Sequence, residues 1–296
     1  MKVSFLQSKK GKAISVFTAL LLVAAIIVAC VIDHEHRRYA CQYAKSFEFS
    51  KAVENSDVQL VAHRGIAREA PENTLPAYEL AAKAGYRYVE TDIHVTADGV
   101  WVLSHDSNLK RMTGFSGVIE EITLAEVTAH KIIKGANADD YPTLTTPTLE
   151  AFLALCSKAG MIPIIEIKTY LSEYPDAPVE AVLHLLEEYA LEEEAVIISF
   201  DYDSLERVRA YSADIREQFL VKGLDESVFT KVEKLGNCGI DCAYKGLIKA
   251  PQLCQLALNN HIVLNAWTVD SEKACEKVTA LGVAFITTNA ALPVQE

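Results

Sequence analysis

The sequence predicts an α/β fold: a TIM (β/α)8 barrel with a small inserted subdomain after the second strand, plus an N-terminal transmembrane helix. Short apolar segments alternate with amphipathic helical segments from Val58 onward, which is the pattern of a parallel sheet covered by helices. Eight segments have strand character, and eight strands close a barrel. Half of the 296 residues are hydrophobic, so the chain can bury the core that a barrel of about 250 residues requires.

The strands are predicted from short β-branched and apolar runs, and the helices from apolar residues recurring every three or four positions. The predicted strands are Val58–His63, Tyr86–Val95, Ile162–Lys168, Ala195–Phe200, Glu217–Val221, Ile240–Tyr244, His261–Val269 and Val283–Thr287. The predicted helices are Thr74–Ala84, Pro147–Lys158, Pro178–Tyr189, Tyr202–Tyr211, Ser227–Leu235, Pro251–Asn259 and Ser271–Ala280.

The segment Val100–Thr146 is too long for a simple connection between two barrel elements. It begins with a short strand, Val100–Ser104, and contains Thr123 followed three residues later by Glu126, the pattern of a capping box that opens a helix. We therefore expect an inserted subdomain at about residues 106–146.

Four regions are expected along the chain: a basic cytoplasmic segment at 1–12, a transmembrane anchor at 13–32, a stalk at 33–57 and the barrel at 58–296. Residues 13–32 are uncharged and largely apolar, and a helix of about 20 residues spans a bilayer. Because Lys residues precede this run, the N-terminus is expected in the cytoplasm and the barrel outside it.

Lipoprotein processing at Cys30 is a second possibility for the same region, since Ile27-Val28-Ala29-Cys30 resembles a bacterial lipobox. Against it, the apolar run continues through Val31 and Ile32. In either case the chain is expected to be tethered to a membrane.

Charge and cysteine content restrict the function classes. Residues 39–296 contain 22 basic and 38 acidic residues, so this part of the chain repels phosphate backbones and a nucleic acid partner is not expected. Cys238 and Cys242 have a metal-like spacing, but no second Cys or His pair completes a zinc site. We interpret the five cysteines after residue 58 as buried apolar residues. The oligomeric state is left open.

Acidic side chains occur together on the second and third predicted strands. Glu90, Asp92 and His94 share one face of the second strand because side chains alternate. Two carboxylates on one face of an apolar strand repel each other unless a cation or hydrogen bonds compensate, and a bound divalent metal is the simplest such compensation. With Glu166 on the next strand, they offer the hard oxygen ligands that suit Mg²⁺ or Ca²⁺. His94 either lines the site or fills the barrel.

Polar residues at the other strand ends complete a candidate site, because these ends converge at one mouth of a barrel. Arg64 and Lys168 are candidates for holding phosphate oxygens, and His63 and His105 for acid and base catalysis. Trp267 is the candidate wall for an apolar or glycerol-like group. Each has a structural alternative: a satisfied histidine, an ion pair of Glu166 with Lys168, or core packing of Trp267.

The order of these motifs closely resembles the glycerophosphodiester phosphodiesterases. The motifs are H-R-G at 63–65, P-E-N-T at 71–74, E-T-D at 90–92, H-D at 105–106, P-T-L-E at 147–150, E-I-K at 166–168, S-F-D at 199–201 and W-T-V at 267–269. The resemblance extends over about residues 58–289 and implies a TIM barrel with an insertion after the second strand. It also implies hydrolysis of glycerophosphodiesters to glycerol 3-phosphate and an alcohol with a divalent cation.

Carried over by motif, the resemblance implies Glu90, Asp92 and Glu166 as metal ligands and His63 and His105 as the acid and base. It likewise implies Arg64 and Lys168 as the residues that bind the phosphate. Two positions depart from the pattern. His94 stands where the family commonly has Gln, and Asn289 follows Thr288 where Asp usually follows Thr.

Two other functions stay open. One is a phospholipase D-like enzyme of the same fold that acts on lysophospholipid or sphingomyelin; the inserted segment favours the glycerophosphodiesterase instead. The other is a barrel without catalytic activity that binds phosphorylated headgroups, a use that fold alone does not exclude.

Overall fold

The computed structural model describes Val53 and residues 56–290, and in this range the predicted barrel is confirmed. The strands are β1 (Gln59–His63), β2 (Tyr88–Val95), β3 (Trp101–Leu103), β4 (Ile162–Ile167), β5 (Val196–Ser199), β6 (Arg216–Val221), β7 (Cys238–Ala243), β8 (Leu264–Trp267) and β9 (Phe285–Thr288). All except β3 pair in parallel in the order β1, β2, β4 to β9, and β9 pairs with β1 to close the barrel. Each predicted strand corresponds to one of these within a few residues.

The helices cover the outside of the barrel. They are α1 (Leu75–Lys83), α2 (Lys110–Thr113), α3 (Leu124–Thr128), α4 (Leu149–Ala159), α5 (Val179–Glu188), α6 (Tyr202–Tyr211), α7 (Glu226–Leu235), α8 (Tyr244–Lys249), α9 (Pro251–Asn259) and α10 (Glu272–Thr279). The seven predicted barrel helices are present, as is the short helix expected to open at Thr123; α2 and α8 were not predicted, and they are only four and six residues long.

The inserted segment starts with β3, which pairs antiparallel with the end of β2. It continues through α2, a 3-10 turn at Ile119–Glu121, α3 and a second turn at Ala138–Asp140. The capping box predicted at α3 is present, with Thr123 and Glu126 exchanging hydrogen bonds. Val102, Leu109, Ile119 and Val127 form a small apolar cluster of the insertion.

Apolar side chains pack in two clusters, one on each side of the barrel strands. The larger lies between strands and helices and includes all five cysteines of the described range, which are free and buried as predicted. The smaller fills the barrel interior with Val61, Ile164, Val196, Ile198 and Leu220. The interior toward the carboxyl ends of the strands is polar instead, and this is where the candidate site lies.

The predicted anchor at 13–32 and most of the predicted stalk lie outside the described residues. Within the described part of the chain, no helix has the length and hydropathy needed to cross a membrane. The region boundaries predicted from the sequence stay predictions.

Candidate active site

The carboxyl ends of the parallel strands surround a cavity of about 110 Å³. Its lining includes seven of the eight residues that the sequence singled out, namely His63, Arg64, Glu90, His105, Glu166, Lys168 and Trp267. Asp92, the eighth, lies behind them fully buried and is ion-paired with Arg64 and Lys168. The fold therefore brings the whole predicted set together, while the role of each stays a prediction.

A larger cavity, of about 680 Å³, opens at the opposite end of the barrel, where β6 and β7 begin at Arg216 and Cys238. None of the predicted site residues lines it. Volume alone does not identify a catalytic site; convergent ionisable groups with perturbed pKa values are better evidence. Those groups favour the smaller cavity.

Three carboxylates meet at the smaller cavity because of strand register. Asp92 on β2 lies beside Glu166 on β4, and Glu90 lies two residues earlier on the same face as Asp92. One oxygen of each side chain lies within 4.8 Å of the others. All three are buried, so their charges are poorly screened by solvent.

The pKa values of these three carboxyl groups show that the nearby cationic side chains do not fully compensate their negative charge. Burial, and then the charge of Asp92, raise the pKa of Glu90 well above its usual value. The same two causes raise the pKa of Glu166 to about 7. Burial also acts to raise the pKa of Asp92, but Arg64 and Lys168 outweigh it and hold that pKa well below the usual range.

The residues present fit a divalent cation. The donors are all carboxylate oxygens, as Mg²⁺ and Ca²⁺ require. Asp92 Oδ1 is buried and accepts no hydrogen bond, although it lies 3.4 Å from Lys168 Nζ. A cation among the three carboxylates would compensate the repulsion that raises two of their pKa values.

Both cationic side chains of the site are fixed by acids. Lys168 Nζ lies 3.1 Å from Glu166 Oε1, and Arg64 binds Glu72 at 2.9 Å and Asp92 at 3.1 Å. Arg64 has a left-handed backbone, φ 56°, and its amide donates to Glu90 Oε2 at 3.0 Å. The H-R-G motif needs its glycine here, since a Cβ on Gly65 would come within 2.7 Å of the Ala77 backbone.

His63 is held by Asn289 at the end of β9. Its Nδ1 lies 2.8 Å from Asn289 Oδ1, while the amide nitrogen of Asn289 donates to Asp270. Since a carboxylate only accepts, the amide oxygen must face the histidine, so Nδ1 carries the proton. Nε2 is then the free nitrogen, 3.9 Å from Glu90 Oε2. Burial and the charge of Arg64 lower the pKa of His63 to about 3.

His105 is the first member of a chain of charged contacts. Its Nδ1 lies 2.7 Å from Asp106 Oδ1, and Asp106 accepts a hydrogen bond from Arg111 of α2. Arg111 also donates to Glu72 at 2.7 Å, and Glu72 accepts from Arg64. The chain thus connects the second histidine and the insertion to the phosphate-binding candidate Arg64.

The sequence interpretation missed the roles of Asp106, Arg111 and Glu72. Asp106 is directly adjacent to a candidate histidine, and Glu72 is the acid of the P-E-N-T motif, so both carried a signal. Burial acts to raise the pKa of Asp106, but hydrogen bonds from His105 and Arg111 lower it below its usual range. Asp106 is therefore a carboxylate that accepts from both neighbours.

Asn73 of the P-E-N-T motif supports Asp92 and does not cap α1, whose N-cap position is Thr74. Its amide nitrogen donates to Asp92 Oδ2 at 2.8 Å, and its oxygen accepts from Tyr78, Thr91 and the Asp92 amide. Thr74 occupies the N-cap position of α1 but its hydroxyl donates to Pro71. The motif therefore orients a metal-ligand candidate.

Trp267 and Phe200 form the apolar side of the cavity, with ring centroids 5.6 Å apart in an edge-to-face arrangement. The indole nitrogen donates to the Asp241 carbonyl, which fixes the ring. Ser199, another polar strand-end residue, is fully buried and donates to Ile167. We assign it a structural role.

His94 does not line the cavity. Its Nδ1 lies 2.6 Å from Glu120 of the insertion, and Glu120 also accepts from Thr169 after β4. The pair is buried. His94, one of the two positions that depart from the family pattern, therefore connects the insertion to the barrel two residues after Asp92.

Comparison with known protein families and structures agrees with the family resemblance seen in the sequence motifs. The model of the glycerophosphoryl diester phosphodiesterase family matches residues 63–292. A glycerophosphodiester phosphodiesterase of Caldanaerobacter subterraneus is 29% identical over 232 residues, which are 78% of this chain and 93% of that protein. One of Bacillus altitudinis is 27% identical over 236 residues, covering 78% and 94%.

Among solved structures, a phosphodiesterase of Oleispira antarctica in complex with the product sn-glycerol-3-phosphate superposes with a TM-score of 0.72. It is 25% identical, and the match covers 78% of this chain and 92% of that one. The family match extends over most of the chain and includes every predicted site residue. The chain therefore belongs to the glycerophosphoryl diester phosphodiesterase family and is an enzyme of that class, a phosphoric diester hydrolase.

Proposed function

We propose that this enzyme hydrolyses glycerophosphodiesters to glycerol 3-phosphate and an alcohol, with a divalent cation and with His63 and His105 as base and acid. One observation carries the proposal: three buried carboxylates meet within 4.8 Å at the barrel mouth, in a cavity that two histidines, an arginine and a lysine also line. Such a set favours hydrolysis of a phosphodiester over binding alone.

Glu90, Asp92 and Glu166 would hold the cation, which is Mg²⁺ or Ca²⁺ because all three donors are hard oxygens. When bound, the cation would polarise a phosphate oxygen and neutralise developing charge. Asn73 and Arg64 keep the Asp92 carboxylate in position. Lys168 and Arg64, which both line the cavity, would supply positive charge for the remaining phosphate oxygens.

His63 is the better candidate for the general base. Its lowered pKa keeps the imidazole neutral, and its free Nε2 is on the side of the carboxylates. It would remove a proton from the attacking oxygen, which is either water or a neighbouring glycerol hydroxyl.

His105 is the better candidate for the general acid. Asp106 occupies its Nδ1, so Nε2 is the nitrogen that remains to protonate the leaving alkoxide. The side chain is 36% exposed, which places it on the solvent side of the cavity, where an alcohol of variable size can leave. Trp267 would lie against the glycerol part of the substrate.

The test is the release of glycerol 3-phosphate from glycerophosphocholine, measured with Mg²⁺, with Ca²⁺ and with a chelator. We expect turnover with at least one cation, none with chelator, and a fall of about 100-fold or more in His63→Ala. Full activity of His63→Ala would contradict the role of His63. Faster hydrolysis of lysophosphatidylcholine than of glycerophosphocholine would favour the phospholipase D-like alternative, and binding without turnover at any cation concentration would favour a non-catalytic module.

We also propose that the enzyme is a single-pass membrane protein with its barrel outside the cytoplasm. The support is the apolar run at 13–32 with lysines before it. Fractionation of cells and N-terminal mass analysis of the membrane fraction test this, and they also separate an uncleaved helix from a lipid-modified Cys30. Recovery of the whole chain in the cytosol would contradict it.

A further inference from the structure

Asp241 is an acidic side chain inside the barrel that the proposed mechanism does not use. It lies in the middle of β7, beside Leu220 on β6 and Asn265 on β8. Its chain neighbours Ile240 and Cys242 belong to the apolar layer between strands and helices. Because side chains alternate along a strand, Asp241 points into the barrel. It is only 2% exposed.

The Asp241 carboxyl group is incompletely satisfied. Its Oδ1 is buried without a hydrogen-bond partner in the structure. Buried polar atoms without a partner are destabilising and uncommon in native proteins. Asp241 also lines the same cavity as Glu166 and Trp267. A partner for Oδ1 is therefore expected to come from a molecule bound in that cavity.

The chemistry of this partner is restricted. Asp241 is not among the three carboxylates that meet as a metal site. Burial, and then the charge of Glu166, raise the pKa of Asp241 well above its usual value, although a hydrogen bond from Asn265 acts in the opposite direction. The unpartnered Oδ1 can accept a hydrogen bond whether the carboxyl group is ionised or neutral, and a hydroxyl group can donate it. A hydroxyl group is thus a better match than a cation.

The position of Asp241 in the cavity indicates which hydroxyl group of a substrate it would contact. Asp241 is a buried residue of the barrel interior, whereas the side chain of His105 is 36% exposed, and we therefore place Asp241 toward the inner end of the cavity and His105 toward its rim. The variable alcohol of a phosphodiester has to leave through the open end. The inner end is then left for glycerol, the part that all glycerophosphodiesters share.

We propose that Asp241 determines substrate specificity by hydrogen bonding a free hydroxyl group of the glycerol moiety. Asp241 thereby selects glycerophosphodiesters over phosphodiesters that lack glycerol. This proposal rests on the proposed function, because it assumes that the phosphate lies at the three carboxylates.

The first experiment compares Asp241→Leu and Asp241→Asn with the wild type on two substrates, glycerophosphocholine and bis(4-nitrophenyl) phosphate. Leucine has the same branching and number of side-chain heavy atoms but no polar atom, and asparagine keeps both a donor and an acceptor. We expect the ratio of kcat/KM for the two substrates to fall about 10- to 100-fold in Asp241→Leu and much less in Asp241→Asn. A parallel fall on both substrates would show a structural role and overturn the proposal.

Leu220→Val is the matched control, because Leu220 lies beside Asp241 and lines the same cavity without a polar atom. It should change both rates in proportion. Thermal unfolding of each variant checks that the barrel is folded, and an unchanged ratio in a folded Asp241→Leu would also overturn the proposal.

A binding experiment separates this proposal from the proposed function. Calorimetry with the same divalent cation compares sn-glycerol 3-phosphate with inorganic phosphate in the wild type and in Asp241→Leu. The wild type should prefer glycerol 3-phosphate, and Asp241→Leu should lose about 10-fold or more of that preference. If the wild type hydrolyses no phosphodiester, the proposed function fails, and the binding preference for glycerol 3-phosphate alone then tests the role of Asp241. An equal binding preference in the wild type and in Asp241→Leu would refute that role.

Discussion

At the scale of single residues, the contact between His63 and Asn289 determines which nitrogen of the histidine ring is left free. The Asn289 amide is oriented by Asp270, so it presents its oxygen to His63 Nδ1. An aspartate at 289, as is usual in the family pattern, would place a negative charge at this contact. The neutral amide leaves burial and Arg64 to dominate the pKa of His63.

Asn289→Asp should therefore raise the pKa of His63 from about 3. An opposite charge at hydrogen-bond distance shifts a pKa by about 1–3 units. A base works only when unprotonated, so we expect the acid limb of the kcat/KM profile to move to higher pH. The measurement is this profile for wild type, Asn289→Asp and Asn289→Ala; a shift of the same size in Asn289→Ala, which adds no charge, would contradict the explanation.

Asp106→Asn tests the assignment of His105 as the acid. The substitution removes the carboxylate that orients His105 and binds Arg111, and loss of such supporting contacts typically costs about 10- to 100-fold in activity. We expect that loss with choline as the leaving group. It should largely disappear with 4-nitrophenyl glycerophosphate, because 4-nitrophenolate leaves without protonation. Equal losses with both leaving groups would mean that His105 is not the acid.

Residue types and motif order sufficed to single out eight candidate residues that the fold brings together, because acids and histidines at strand ends stand out in an apolar sequence. Apart from the ion pair of Glu166 with Lys168, which the sequence offered as an alternative and the structure contains, the partners of these residues could not be predicted. Glu72, Arg111 and Asp241 reach the site from three different elements, and only the folded barrel shows which acid meets which base.

At the scale of elements, a buried pair of side chains fastens the insertion to the barrel. His94 at the end of β2 binds Glu120 in the 3-10 turn Ile119–Glu121, and Thr169 donates to the same carboxylate. The sequence predicted the insertion and its capping box from local signals. It did not predict this contact, since His94 was expected either to line the site or to fill the barrel and Glu120 was assigned no role.

Glu120→Ala should destabilise the protein by about 3 kcal/mol, because it leaves His94 buried without its partner. The free energy of unfolding from denaturant titration measures this, and limited proteolysis shows whether the insertion opens first. Glu121→Ala is the control, since Glu121 is the exposed neighbour; an equal effect of both substitutions would argue against the buried pair.

Asn73, in the loop before α1, should set the affinity for the cation through Asp92. Its backbone is left-handed, φ 55°, so Asn73→Gly removes the side chain without backbone strain. We expect cation affinity to fall about 10- to 100-fold, as measured by titration calorimetry. Asn137→Gly is matched in backbone, φ 50°, and lies in the insertion; its affinity should equal the wild-type value, and a similar fall there would refute the role of Asn73.

At the scale of the whole molecule, the three carboxylates make stability depend on pH and on the cation together. Without a cation, Glu166 keeps its proton to about pH 7 in the folded chain and only to about 4.5 when unfolded. Because the folded state then binds more protons than the unfolded state, stability without the cation should fall as pH rises through this window. A bound cation requires the deprotonated form, so its affinity should rise over the same window.

The cation should thus raise the melting temperature more at pH 8 than at pH 6, and chelator should reverse the increase. Thermal unfolding at the two pH values with Mg²⁺, Ca²⁺ and chelator measures this. In Glu166→Gln, which cannot titrate, the pH dependence of the increase should become smaller. An increase that is equal at both pH values in the wild type would contradict the shifted pKa of Glu166.

The barrel also determines how the molecule can be attached to other objects. β1 begins at Gln59 at the end of the barrel remote from the three carboxylates, whereas Asn289, next to the last described residue, touches His63. A bulky label attached at Gln59 would therefore leave the mouth unobstructed, and one attached at Asn289 would crowd the imidazole. Assays on surfaces should use an attachment point on the Gln59 side of the barrel.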